Sequence, residues 1–91
     1  MTTGRPWDDT ERGRGAAVAA AFGAELRARR LGRGLTQGAL AEAAGLSVSA
    51  VSLLERGGRQ PTLAAAFRLS AALGLGRDGL ARATAARLDG G

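Results

Sequence analysis

TQGALAEAAGLSVSAVSLLER, residues 36–56, holds two short helical patterns that meet at a single glycine. The first runs from Gln37 to Ala44. Thr36 precedes it, and a threonine hydroxyl there can accept a hydrogen bond from an orphan amide of the first turn. Leu40, Ala41 and Ala44 fall on one side of that helix. Gly45 stops it, because glycine enters the left-handed region without steric cost. Leu46 follows, and Ser47 is a suitable N-cap for a second helix running to about Arg56. Gly57-Gly58 ends that one. At about 100° per residue, Ser47, Val51 and Leu54 share a narrow arc of the second helix. Ser49, Ser52 and Arg56 lie opposite, flanked by Val48 and Leu53.

Two short helices, a tight glycine turn and a small residue, Ala41, at their closest approach predict helix-turn-helix geometry. The spacing resembles the Xre/Cro-type, lambda-repressor-like family of helix-turn-helix DNA-binding proteins. The resemblance is carried by Gln37, Ala41, Gly45, Val51 and Leu54, with Leu35-Thr36-Gln37 before the motif, Glu55-Arg56-Gly57 after it and Pro61 beyond. It spans residues 22–80. It implies an all-α, compact five-helix domain with the motif at its second and third helices. It also implies that the segment 47–56 lies in the major groove of double-stranded DNA, and that Arg30 and Glu55 form a buried intramolecular ion pair.

Working outward from the motif, residues 1–14 are polar and carry Gly4 and Pro6, so a flexible arm is expected. Trp7 either rests on the body of the domain or belongs to an arm that touches DNA or a partner, with Arg5, Arg12 and Arg14 supplying charge. Residues 15–31 read as a helix with Val18, Phe22 and Leu26 on one face. Arg27, Arg29, Arg30 and Arg33 cluster at its end, where cations complement the helix dipole. Gly57-Gly58-Arg59-Gln60-Pro61 is a loop. Thr62 caps a helix over 63–73, with Leu63, Phe67, Ser70 and Leu73 tracing one side and Phe67 a core anchor. A last helix spans 77–88, its weak apolar face formed by Leu80, Ala83, Thr84 and Leu88. Residues 89–91 are expected to fray. The domain thus runs over 15–88, with a core of Phe22, Leu26, Leu35, Leu40, Leu46, Val51, Leu54, Leu63, Phe67, Leu69, Leu73, Leu75 and Leu80.

Composition narrows the function. The 91 residues suit one domain. Cysteine, histidine and tyrosine are absent, which removes thiolate metal sites and the commonest general base. The few carboxylates are scattered, leaving paired-acid chemistry without a seat. No enzyme activity, cofactor or metal is expected. All 13 basic residues are arginine, a bias that a GC-rich genome can produce. A net charge of +5 favours a polyanionic partner. No apolar run reaches the roughly 18 residues of a membrane span, and no secretory signal pattern opens the chain. A cytoplasmic protein of a prokaryote or its phage is the expectation.

The candidate DNA-binding residues are Arg33, Thr36, Gln37, Ser47, Val48, Ser49, Ala50, Ser52, Leu53, Arg56 and Arg59. Thr36 and Gln37 open the first motif helix, where amides favour phosphate. The second helix offers two serines and three apolar groups, Val48, Ala50 and Leu53. The better-equipped members of the family carry Gln, Asn, Arg or Lys there, whose bidentate pairs discriminate bases. Direct readout is therefore expected to be poor, with DNA shape and the arginines carrying more. A transcriptional regulator that binds as a homodimer through the last helix is the first expectation. The alternatives are the antitoxin of a toxin–antitoxin pair, binding DNA and a partner protein, and a protein-interaction module on the same scaffold.

Overall fold

The structure, a computed structural model, describes residues 9–90. They form α1 (Asp9–Gly32), α2 (Gln37–Ala44), α3 (Val48–Glu55), α4 (Leu63–Ala72) and α5 (Gly79–Gly90). No strand occurs among the described residues. The three short helices start where a hydroxyl side chain is ready. Thr36, Ser47 and Thr62 each accept a hydrogen bond from the amide three residues on, at 2.9, 3.0 and 3.0 Å, satisfying one of the four donors that a helix start leaves unpaired.

The helices end alike as well. After α2, Gly45 adopts φ 69°, its amide reaches the Glu42 carbonyl, and the Leu46 amide reaches that of Ala41. This paired bond closes a helix only when the intervening residue is left-handed. The same pairing closes α1 at Gly34-Leu35, α3 at Gly57-Gly58 and α4 at Gly74-Leu75. Three of the four closures deliver a leucine, Leu35, Leu46 or Leu75, onto the core.

That core is built from Phe22, Leu26, Leu40, Ala41, Ala44, Val51, Leu54, Ala66, Leu69, Leu73 and Leu80. Full burial of one aliphatic such as Val51 or Leu54 stabilises by about 1.5–3 kcal/mol, so the inner stripe of α3 alone anchors it firmly. α1 packs on α3 and α5, α2 on α3 and α4, and α4 on α5. At the α1–α3 crossing there is no room for side chains. A Cβ at Gly23 would come within 2.8 Å of the Glu55 carbonyl oxygen and closer still to that of Leu54.

Several expectations change here. α1 begins at Asp9 rather than residue 15, because exposed glycines such as Gly13 each cost a helix only about 1 kcal/mol. Residues 1–8, including Arg5 and Trp7, and the side chain of Arg12 lie outside the described residues; Arg14 is exposed on α1. α5 runs through Asp89 and Gly90, which had been expected to fray. The buried side of α4 is Ala66, Leu69, Ser70 and Leu73, while Leu63 is 68% and Phe67 37% exposed. The small residues face inward because α4 lies close to α5: the buried Ser70 hydroxyl accepts the Leu80 amide at 3.1 Å. A phenylalanine on that side would hold the two helices apart.

The face of α5 expected to join two copies is mostly used within the chain. Leu80 and Thr84 are buried, and the Thr84 hydroxyl donates to the Leu80 carbonyl at 2.7 Å. Leu88 remains 43% exposed.

Candidate nucleic-acid interface

α2 and α3 meet at 112°, within the range by which a helix-turn-helix offers its second helix to a groove. The inward side of α3 is fixed by Val51, Leu54 and Glu55. That leaves Ser49 and Arg56 exposed, Ser52 and Leu53 half-buried, and Val48 50% exposed at its first turn. Ala50 sits at the edge, half-buried. Leu53 folds back over Gly58, where a Cβ would crowd it. The start of α2 lies beside the start of α3: a Cβ placed on Gly38 would stand 3.8 Å from the Thr36 hydroxyl and 4.0 Å from Val48 Cγ2. Thr36, Val48, Ser49, Ser52 and Arg56 thus belong to one surface made from two helix N-termini and the outer side of α3. Thr36 and Ser47 also serve as the caps of those helices.

Beneath that surface is a charged junction of α1, α2 and α3. Arg30 grips Glu55 with two of its guanidinium nitrogens, Nε to Oε2 at 2.6 Å and Nη2 to Oε1 at 3.0 Å. Its remaining nitrogen donates to the Leu35 carbonyl at 2.8 Å. Arg30 is 8% and Glu55 9% exposed. Such a planar, bidentate fork is among the stronger charge-assisted arrangements. Burial alone would push the Glu55 carboxyl up; the hydrogen bonds from Arg30 and Gln37, with the charges of Arg30 and Arg27, outweigh it and hold the group below the usual carboxylate range. Glu55's hydrogen bonds in turn raise Arg30 against the opposing pull of desolvation.

Two residues expected at the DNA surface are engaged elsewhere. The Gln37 side chain turns inward and donates to Glu55 Oε1 at 3.1 Å, so the outward hydrogen-bonding capacity at the α2 N-terminus lies with Thr36 and the backbone amides. Arg33 reaches the C-terminus of α4, its Nη1 donating to the Leu73 carbonyl at 2.7 Å. The last carbonyls of α4 lack helical partners, and the guanidinium of the residue just after α1 satisfies one of them. Arg59 stays exposed on the α3–α4 loop, and Arg56 lies along its own helix with Nε 3.3 Å from the Ser52 carbonyl.

A helix-turn-helix family model matches residues 26–80, more than half of the chain and the whole of this arrangement. The chain belongs to the Xre/Cro-like helix-turn-helix family. Its fold is the all-α, lambda-repressor-like one of five helices, and its class is that of DNA-binding regulatory domains, which are not typically enzymatic. Comparison with curated proteins finds no match. No single helix among the described residues is long and apolar enough to cross a membrane, and no group of His, Cys, Asp or Glu among them could hold a metal ion.

One structural determinant of the interface escaped the sequence reading. Gly23 and Gly57 let α1 run backbone-to-backbone against the end of α3: a Cβ at Gly57 would stand 3.1 Å from Ala20 Cα. The signal was Ala19 and Ala20, each about one turn before Gly23 on α1, small residues that mark a close helix approach.

Proposed function

We propose that this member of the family is a sequence-specific transcriptional regulator that lays α3 in the major groove of double-stranded DNA. The observation that supports this most is the 112° α2–α3 pair, whose outer side presents Val48, Ser49, Ser52 and Arg56 beside the capped start of α2. Methyl groups of Val48 and Ala50 suit a thymine methyl, and serine hydroxyls suit either donor or acceptor edges. With so few bidentate readers, affinity comes chiefly from phosphate contact by Arg56, Arg59 and the α2 amides, and preference among sites from DNA shape.

Binding as a homodimer suits this reading, because one module buries only about 600–1,000 Å² on DNA. A second copy would have to use the outer side of α5. There, Val18, Pro61, Leu63, Ala81, Ala85 and Leu88 line an apolar groove of about 410 Å³. The same groove favours, as a second reading, a protein partner such as the toxin of a toxin–antitoxin pair. A fluorescence titration against duplexes from the chain's own promoter and a scrambled duplex tests the proposal. A preference of at least about tenfold for one duplex, roughly the 1–3 kcal/mol carried by a single well-read base pair, is expected. Equal weak binding to both sinks sequence specificity, and no binding to either moves the protein-partner reading ahead.

A further inference from the structure

We propose that Arg27, on α1, is a DNA-backbone contact of this interface, so that the first helix clamps a phosphate beside the end of α3. The inference rests on the regulator reading above and adds a residue from outside the motif.

The placement follows from helix geometry. On α1, the buried side is Ala19, Phe22, Leu26 and Arg30. Gly23 lies to one flank of it, against the Leu54 and Glu55 carbonyls, and Ala20 lies against Gly57. Arg27 is one turn beyond Gly23 and two beyond Ala20, so it continues that flank. It therefore emerges beside the C-terminus of α3, at the junction where Gln37 of α2 and Arg30 of α1 converge on Glu55. Glu25, by contrast, lies on the other flank and is held by Arg87 of α5.

The charge there is surplus. Glu55 is already matched by the Arg30 fork and the Gln37 amide. The α3 carbonyls of Leu53 and Leu54 are already taken by the amides of Gly58 and Gly57. Among the described residues, no carboxylate pairs within salt-bridge distance with Arg27, Arg56 or Arg59. All three are exposed. Arg27 is close enough for its charge to lower the Glu55 carboxyl, which agrees with the helical placement. Exposed guanidiniums near the end of α3 and on the loop after it, with no carboxylate partner among the described residues, favour a polyanion. Arginine's fork suits a phosphate oxygen pair.

The test is a salt titration of binding to the preferred duplex. Each neutralised phosphate contributes about −0.9 to the slope of log K against log salt. Arg27→Gln is expected to reduce that slope by about 0.9, so its deficit shrinks by about 3.5-fold between about 50 and 200 mM salt. The loss should be the same on preferred and scrambled duplexes. Arg27→Lys should restore the slope. Arg77→Gln, which removes an exposed charge from the α4–α5 connection, should leave it unchanged and so excludes a net-charge effect. Thermal unfolding should be the same for all four proteins. A wild-type protein that binds DNA while Arg27→Gln keeps the full slope overturns the inference and leaves the regulator reading standing. A slope lost equally in Arg77→Gln also overturns it, and a wild-type chain that binds no duplex overturns both.

Discussion

Glu55 and Glu25 are each held by two side-chain donors, and their surroundings differ in almost every other respect. Glu55 sits at the buried end of α3, gripped by Arg30 of α1 and Gln37 of α2. Glu25 lies on the flank of α1 that faces α5, its side chain 12% exposed, bridging Arg29 at 2.6 Å and Arg87 of α5 at 2.7 Å. Both carboxyls are held below their usual range. For Glu25 the hydrogen bonds from Arg29 and then Arg87 outweigh a smaller cost of burial; for Glu55 burial is the largest single influence, and the hydrogen bonds from Arg30 and Gln37 must overcome it. The two arginines on Glu25 keep nearly half of their side-chain surface in water, whereas Arg30 is sealed in. The same chemistry therefore has different weights. At the surface water can replace a lost partner. In the three-helix junction it cannot, and the angle between α2 and α3 depends on the group staying matched.

The largest effect expected from that contrast is on Glu55→Ala. Removing one partner of a buried pair costs about 3–5 kcal/mol, because the other charge is left stranded. Glu42→Ala, on the exposed side of α2, should change stability by less than about 0.5 kcal/mol. Urea unfolding of both variants measures the difference, and equal midpoints would mean that the buried fork contributes nothing. Acid supplies a companion test. A carboxyl whose folded pKa is depressed contributes stability above its unfolded value of about 4.3, and that stability is lost as pH falls through the lower folded value. The melting temperature of the wild type should therefore decline steadily below about pH 4.3. Glu55→Gln, less stable at neutral pH, should decline less over the same window. Parallel declines would assign the acid sensitivity to other carboxylates.

The junction also depends on space. Gly23→Ala would drive a methyl into the Leu54 and Glu55 carbonyls, and overpacking of this kind costs about 1–3 kcal/mol. Gly13, on the same helix with nothing within 4 Å of an added Cβ, should respond in the opposite direction, since alanine gains about 0.5–1 kcal/mol over glycine inside a helix. Thermal unfolding of the two variants should show shifts of opposite sign. If both stabilise, α1 and α3 have room to separate and the close approach does not fix the position of α3.

Much of the motif was legible because each of its signals is local. Thr36, Ser47 and Thr62 cap, and Gly45 turns left-handed, for reasons contained within four or five residues. α2 occupies the expected span for the same reason. The outward direction of Ser49, Ser52 and Arg56 follows from the strong contrast between Val51 and Leu54 on one side and polar residues on the other. α4 offers no such contrast. Leu63, Ala64, Ala65, Ala66, Phe67 and Leu69 are apolar on all sides, so side-chain size suggested Phe67 as an anchor while the close neighbour α5 selected Ala66 and Ser70. Arg33 and Gln37 were placed on the DNA side by position along the chain. Their side chains also answer needs that exist only in the folded state, an open carbonyl at Leu73 and a buried carboxylate at Glu55. On α5 a weak apolar face suggested a partner copy; the chain's own core takes up Leu80 and Thr84, while Leu88 stays 43% exposed.

The smallest effect, and the one that bears most directly on why Glu55 and Glu25 differ, is expected for Arg87→Ala. Arg87 is the long-range partner of Glu25, joining α1 to the last turns of α5, whereas Arg29 is only one turn away on the same helix. Exposed pairs typically contribute about 0.2–1 kcal/mol, and pairs within one helix about 0.3–0.5 kcal/mol. Arg87→Ala should therefore destabilise by less than about 1 kcal/mol, and the deficit should vanish near 1 M salt, where the screening length is about 3 Å. The deficit of Glu55→Ala should persist there, because salt does not reach the buried fork. Amide exchange should quicken over Ala85–Leu88, where α5 loses its tie, with little change at Val51 or Leu54 in the core. A salt-resistant deficit for Arg87→Ala, or faster exchange spreading into α3, would show that the Glu25 bridge is part of the core's support, and that burial is not what separates the two carboxylates.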